Sequence, residues 1–231
     1  FTDMLEYNDY SHLDWLLSHY GSLNSETYGQ LLHAIYADLA RDYRCEYVYK
    51  NELIKKLLAD YGTQHTVYFS EFRLGGSIAD VVMFNGESKV FEIKTAYDTP
   101  KRLNKQLEDY RSFFDKCYLV LPEDKYEDYL SFIDDKTGVI LVSRQRGRIV
   151  MDEVKHAETN TCFSPELLMS FLRTKEYMSI AAALGADLVG VPGYEMYSFC
   201  KDVIVNASQE KVRSLFLQEI KKRDNNTRRL R

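Results

Sequence analysis

Residues 66–95 read TVYFSEFRLGGSIADVVMFNGESKVFEIKT, and this stretch decides the fold. Val, Ile, Phe and Tyr are frequent in it, and these residues favour β-strands. Two glycine-containing breaks divide the stretch, and the second, Asn85-Gly86, is a strong hairpin signal. The pattern therefore predicts three consecutive strands in an antiparallel meander. The strands are expected at 66–74, 78–84 and 89–95.

Helix and strand patterns alternate after the meander. They predict a helix at 101–114, a strand at 117–121, a helix at 125–133 and a strand at 139–142. Residues 149–154 are expected to pair with that last strand across Gly147. This succession indicates an α/β fold in which helices flank a mixed β-sheet.

The two ends of the chain have helical patterns. Apolar positions from Tyr28 to Leu39 follow the spacing of a buried helix face, and a second helix is expected from Glu46 to Tyr61. Near the C-terminus, helix caps are expected at Ser164, Thr174 and Ser208. We therefore expect three regions: N-terminal helices packing on the core over 1–62, the core over 63–155, and a helical C-terminal region with a basic tail over 156–231.

Composition excludes several classes of protein. The 231 residues carry a formal net charge of −5, which argues against a protein that coats nucleic acid by bulk electrostatics. The 4 cysteines lie far apart and form no CxxC pair, so we expect reduced thiols rather than structural zinc. No apolar run has the length of a membrane span, and no signal peptide is visible. These features predict a cytoplasmic protein without a membrane partner.

Three polar residues in the meander could carry chemistry. Glu92 and Lys94 lie two residues apart, so both project from the same face of one strand. Asp80 lies on the preceding strand within an apolar run, where an acid is costly to bury unless a cation compensates it. Two carboxylates on neighbouring strands suit Mg²⁺ or Mn²⁺, with water and phosphate oxygens as the other ligands.

The order Asp80, then Glu92-Ile93-Lys94 on the next strand, resembles the PD-(D/E)XK phosphodiesterase superfamily. This superfamily includes restriction enzymes, archaeal Holliday-junction resolvases and RecB-type exonucleases. Gln106 and Tyr110, one turn apart on the following helix, match the Gln-x-x-x-Tyr motif of RecB-like members. Ala79 stands where the superfamily pattern has Pro. The resemblance implies a restriction-endonuclease-like sheet.

Small bacterial and phage members of the superfamily, largely uncharacterised, are the most similar in motif. They share the residues Glu92-Ile93-Lys94-Thr95, Asp98-Thr99, Arg102-Leu103 and Gln106. In these members a Glu precedes the Asp by roughly the gap between Glu71 and Asp80. The match covers residues 67–142, and the helical ends lie outside it.

The resemblance implies a metal-dependent nuclease that hydrolyses phosphodiester bonds in DNA. Asp80 and Glu92 would bind Mg²⁺ or Mn²⁺, joined by the carbonyl of Ile93 and by Glu71. Lys94 would position the attacking water, and Gln106 would orient Lys94 or the phosphate. Further candidates for phosphate contact or site support are Arg102, Tyr110 and Asp98.

Several assignments stay open at this point. Glu71 could instead pair with Arg73 or Arg102, and Glu52 on the preceding helix is a rival extra acid. Arg144, Arg146 and Arg148 alternate along the chain and are expected to present one basic face to DNA, with a solvated hairpin as the alternative. Endonuclease or exonuclease action, and DNA or RNA as substrate, are not decided.

A rival function belongs to another class of protein. It is a catalytically silent nucleic-acid- or protein-binding module of the same fold, within a larger defence or mobile-element complex. The intact set of Asp80, Glu92 and Lys94 favours the enzyme. The sequence leaves open whether the chain forms a homodimer or joins a larger protein complex.

Overall fold

A computed structural model of the protein describes residues 10–20, 27–62, 66–74, 76–160 and 163–223. Its centre is a six-stranded sheet in which the strands follow their order in the chain. The strands are Val67–Leu74 (β1), Ser77–Phe84 (β2), Ser88–Ile93 (β3), Lys116–Pro122 (β4), Gly138–Gln145 (β5) and Arg148–Lys155 (β6). The pairs β3–β4 and β4–β5 are parallel and the others are antiparallel, which confirms the mixed sheet and the predicted meander.

Helices precede, interrupt and follow the sheet. In chain order they are Ser11–Tyr20 (α1), Tyr28–Asp42 (α2), Glu46–Tyr61 (α3), Leu103–Arg111 (α4), Tyr126–Tyr129 (α5), Pro165–Phe171 (α6), Thr174–Ala183 (α7), Met196–Val205 (α8) and Gln209–Ile220 (α9). A 3₁₀ turn at Pro100–Arg102 leads into α4. The helix predicted at 125–133 is shorter than expected, because 3₁₀ turns flank its four α-helical residues.

Side-chain caps are found at the starts of α2 and α6. Thr27 accepts a hydrogen bond from the backbone of Gln30 at the start of α2, and Ser164 accepts one from Leu167 at the start of α6. Gly62, with φ at +73°, follows the last residue of α3. Thr174 was predicted as a cap and is instead the first helical residue of α7, after Arg173.

The two faces of the sheet pack against different helices. On one face, Val48, Leu53 and Leu57 of α3 share a buried cluster with Val81 and Phe91. On the opposite face, α4 and the C-terminal helices pack against the sheet. Buried residues of this second cluster include Val82, Val90, Leu107, Tyr110, Ile180 and Phe216. The C-terminal helices therefore belong to the apolar layer that packs against β2 and β3, the strands that carry Asp80 and Glu92.

None of the helices in the described ranges is long and apolar enough to cross a membrane. Most of the predicted basic tail, residues 224–231, lies outside the described residues.

Candidate active site

A pocket of about 640 Å³ lies where β2 and β3 approach the start of α4. Strand residues form its floor and the Pro100–Arg102 turn with α4 forms one wall. Its lining includes Glu46, Asp80, Glu92, Ile93, Lys94, Asp98, Arg102 and Gln106. The structure thus brings the predicted Asp, Glu, Lys and Gln residues together in one cavity.

Glu92 is the centre of the hydrogen bonding in this pocket. Its side chain is buried, and Oε1 accepts hydrogen bonds from Lys94 Nζ at 2.6 Å and Gln106 Nε2 at 2.6 Å. Oε2 accepts a hydrogen bond from the Tyr110 hydroxyl at 2.6 Å. Burial, followed by the charge of Glu92, raises the pKa of the Tyr110 hydroxyl, so Tyr110 stays protonated as a donor. Three donors therefore fix the position of one carboxylate.

Hydrogen bonds fix both the backbone and the side-chain ammonium of Lys94. Its backbone N–H donates to Val120 O at 2.8 Å, which extends the β3–β4 pairing past the last strand residue. Its Nζ donates to Glu92 and also to Gln106 Oε1 at 3.1 Å. Because the amide of Gln106 accepts from Lys94 and donates to Glu92, it fixes the ammonium relative to the carboxylate. The sequence interpretation assigned Gln106 this orienting role.

Asp80 lies where β2 and β3 separate. The regular pairing of these strands reaches Val81 and Phe91, and beyond it Asp80 Oδ2 accepts the backbone N–H of Ile93 at 2.7 Å. Burial, followed by the charge of Glu92, raises the pKa of Asp80 to about 7, although the Ile93 N–H opposes this shift. Two close carboxylates are therefore only partly compensated by the chain itself.

Replacement of Asp80 with Asn should stabilise the metal-free protein at alkaline pH. The raised pKa means that the folded state binds a proton that the unfolded state releases, so wild-type stability falls as pH rises from about 4 to about 7 and then levels off. Asn keeps an oxygen for the Ile93 N–H and carries no charge. The variant should gain about 2–4 kcal/mol over wild type at pH 8.

Urea unfolding of both proteins in EDTA, at pH 4.5 and pH 8, measures this gain. The difference in unfolding free energy should be small at pH 4.5, where Asp80 is protonated in the folded protein. An equal difference at both pH values would contradict the electrostatic explanation.

Glu71, the predicted extra acid, lies outside the pocket. Glu71 is 76% exposed, does not line the pocket, and has its Oε1 at 3.7 Å from Lys50 Nζ. Its φ is +56°, and Phe69 and Phe72 both pack on the α4 side of the sheet, so the side-chain alternation of β1 slips at this position. The resemblance assigned Glu71 as a metal ligand, and the structure does not bring it to the pocket with Asp80 and Glu92.

Glu52, the rival acid, is also outside the pocket. It accepts hydrogen bonds from the Tyr36 hydroxyl at 2.8 Å and Lys55 Nζ at 2.6 Å. Glu46, in the first turn of the same helix, does line the pocket, and its charge contributes to the raised pKa of Asp80. Sequence reasoning missed Glu46. The sequence signal that could have identified Glu46 was an acidic residue at the start of the helix that precedes the first strand.

Asp98 and Arg102, both predicted to contact phosphate or support the site, line the pocket without pairing with each other in the described ranges. Asp98 Oδ2 accepts the backbone N–H and the hydroxyl of Thr95, both at 2.7 Å, and so closes the turn after β3. Arg102 is exposed at the pocket wall, and in the described ranges it forms no ion pair with Asp98 or Glu71. Its guanidinium is consequently available to a phosphate.

The three arginines of the last hairpin do not share one face. Arg146 and Gly147 form its two-residue turn, with φ at +50° and +78°. Arg144 then pairs with Ile149 and Arg148 pairs with Gln145, so Arg144 and Arg148 project from opposite faces. Arg144 donates to Ala40 O at 2.6 Å. The expectation of a single basic face was wrong, because the turn shifts the alternation.

These observations define a class: a mixed α/β protein with a carboxylate–lysine–glutamine pocket where two strands separate. A family model described as bacteriophage P4 protein cII matches residues 39–230, and the chain belongs to that family. The matched range includes every residue of the pocket named above. Family membership therefore covers both the sheet and the C-terminal helices.

Individual relatives are distant. "Protein cII" of Enterobacteria phage P4 is 23% identical over 146 residues, which cover 63% of this chain and 54% of that protein. The chain thus spans about half the length of this curated relative.

Two solved structures are similar at 15% identity: the SPO1766 protein of unknown function from Silicibacter pomeroyi and Pyrococcus furiosus SfsA in complex with Ca²⁺. The first has a TM-score of 0.36 and covers 58% of this chain and 88% of its own. The second has a TM-score of 0.32 and covers 48% and 63%.

Proposed function

We propose that this protein is a metal-dependent nuclease that hydrolyses phosphodiester bonds in DNA. The observation that carries the proposal is the convergence of Asp80, Glu92 and Lys94 with Gln106 in one pocket. Each residue has the chemistry that the reaction needs: oxygen ligands, an ammonium beside the reacting water, and an amide that fixes the ammonium.

The donor set fits a hard divalent cation such as Mg²⁺ or Mn²⁺. The pocket offers a pair of carboxylates, Asp80 and Glu92, and among the described residues no three His, Cys, Asp or Glu side chains form a metal cluster. Mg²⁺ is commonly held by one or two carboxylates plus water and phosphate oxygens. Asp80 and Glu92, with the Ile93 carbonyl, would hold the ion, and its charge would relieve the repulsion that raises the pKa of Asp80.

The chain's own residues then have separable tasks. A bound divalent cation would stabilise negative charge on the phosphate in the transition state. Lys94 would hold the attacking water with its ammonium, while Gln106 keeps that ammonium from turning away. Tyr110 donates its hydroxyl proton to Glu92 at 2.6 Å, and the same hydroxyl oxygen lies 3.0 Å from Ile78 O on β2. Lys101 and Arg102 at the pocket wall would bind the phosphates of the substrate.

A second candidate is a binding module of the same fold without turnover. One observation favours it: both oxygens of Glu92 already accept hydrogen bonds from Lys94, Gln106 and Tyr110. A network satisfied in this way can be purely structural. It would bind DNA through Lys101 and Arg102 with no dependence on divalent cations.

Incubation of the purified protein with linear, circular and single-stranded DNA tests the proposal. Reactions with Mg²⁺, Mn²⁺ or EDTA should be run beside Asp80→Ala. Cleavage that needs the cation and is lost in Asp80→Ala would support the nuclease, and the substrate cut would separate endonuclease from exonuclease action.

The control variant is Asp60→Ala, which removes an exposed acid at the end of α3 opposite Glu46, where it pairs with Lys56 at 3.1 Å. It should cleave like wild type. Cation-independent DNA binding without cleavage would favour the binding module. Absence of both cation and DNA binding would overturn both candidates.

A further inference from the structure

Two exposed tyrosines lie close in the chain to residues that line the pocket. Tyr97 is 75% exposed and Tyr43 is 51% exposed, with ring centroids 6.4 Å apart and planes 34° apart. Tyr97 immediately precedes Asp98, and Tyr43 lies three residues before Glu46; both of those acids line the pocket. The aromatic pair therefore lies beside the cavity, where the start of α3 approaches the turn after β3.

Tyr97 is presented on a well-fixed turn. Its backbone N–H donates to Thr95 Oγ1 at 3.3 Å, while Asp98 accepts from the N–H and hydroxyl of the same threonine. Thr95 itself is buried. Because the backbone that carries this exposed ring is already fixed, the ring loses little conformational freedom on binding, which favours it as a contact surface.

Cations accompany the aromatic pair. Arg44, next to Tyr43 in the chain, pairs with Asp124 at 2.6 Å, and Lys101 and Arg102 follow Tyr97 along the pocket wall. Exposed aromatic rings interleaved with lysine and arginine are the features that bind single-stranded nucleic acid, where bases stack and the backbone contacts the cations. In a duplex, each base is stacked and paired, so its face is not offered to a tyrosine ring.

We propose that the substrate carries an unpaired nucleotide next to the scissile phosphate, and that its base stacks on Tyr97 beside Tyr43. This proposal rests on the proposed nuclease function, and it names the substrate class as single-stranded DNA or a duplex with an unpaired end. Arg102 and Lys101 contact the adjoining phosphates.

Fluorescence anisotropy in EDTA tests the binding step without cleavage. A labelled single-stranded oligonucleotide should bind more tightly than a blunt duplex of equal length. Tyr97→Ala should weaken single-strand binding about 5- to 150-fold, as expected for loss of one base-stacking contact. Tyr97→Phe should bind within about twofold of wild type, because it keeps the ring face.

Tyr194→Ala is the matched control, because Tyr194 is 85% exposed and lies between α7 and α8, away from the pocket. It should leave binding unchanged. Equal weakening of single-strand and blunt-duplex binding by Tyr97→Ala, or no weakening, would overturn the inference even if the protein cleaves DNA. Tyr97-dependent single-strand binding in a protein that never cleaves would support the stacking site and reject the nuclease function.

Discussion

Lys94→Ala is expected to reduce metal-dependent DNA cleavage by at least about a hundredfold, a typical loss when one preorganised charge is removed from an active site. The ammonium of Lys94 is 2.6 Å from Glu92 Oε1 and 3.1 Å from Gln106 Oε1, so the pocket holds it in one position. Alanine leaves neither a donor for the water nor a counter-charge for the carboxylates. Gel assays at saturating DNA would report the loss as a fall in kcat.

The matched control is Lys56→Ala, which removes a partly exposed lysine that pairs with Asp60 at 3.1 Å in the C-terminal half of α3. It should retain wild-type kcat and a wild-type salt dependence of binding. Lys94→Ala should keep a cooperative thermal transition, since Gln106 and Tyr110 still donate to Glu92. A folded Lys94→Ala variant that cleaves at the wild-type rate would show that the ammonium serves structure alone.

The sequence predicted the part of the site that depends on regular periodicity. Glu92 and Lys94 share a strand face because strand side chains alternate, and Phe91 and Ile93 consequently enter the opposite apolar cluster. Gln106 and Tyr110 lie one helical turn apart, so both reach Glu92. Geometry of this kind depends only on residues close together in the chain, so it can be predicted without knowing how distant segments pack.

The failures have a common physical origin in backbone irregularity and in contacts between distant segments. Glu71 was assigned from the resemblance and from its place on the first strand, and the structure gives it a left-handed φ and an exposed side chain. Arg144 and Arg148 were assigned to one face, and the turn at Arg146 separates them. Glu46 approaches Asp80 only through the packing of α3 on the sheet, which no local pattern records.

The sequence predicted a mixed sheet but not that β3, β4 and β5 are the parallel strands. The register between β4 and β5 depends on one glycine. Gly138 pairs with Tyr118, and a Cβ at this position would lie 2.5 Å from two ring carbons of Tyr118 and 2.8 Å from the backbone nitrogen of Ala157. Atoms do not approach so closely, so the ring and the β6 end would both have to move. Gly138 therefore makes room for Tyr118 over the start of β5.

Gly138→Ala should lower the unfolding free energy by about 3 kcal/mol, at the upper end of the usual cost of overpacking. Urea denaturation would measure it, with Gly29→Ala as the control. Gly29 lies in the first turn of α2, where its nearest neighbour would be Thr27 Oγ1 at 3.9 Å, so alanine there should be neutral or slightly stabilising. Equal stability of the two variants would contradict the register of β4 and β5.

The same substitution should also affect the site. Tyr118 stacks on Phe91, with ring centroids 5.2 Å apart and planes 15° apart, and Phe91 directly precedes Glu92 on β3. A ring displaced by the new methyl group pushes on Phe91, and through it on the strand that positions Glu92 and Lys94. Catalytic groups tolerate displacements of only a fraction of an ångström. The rate of cleavage should therefore already be reduced at temperatures well below the melting temperature of the variant. Full activity in a destabilised Gly138→Ala protein would mean that β3 is held by α4 and Tyr110 rather than by its packing on β4.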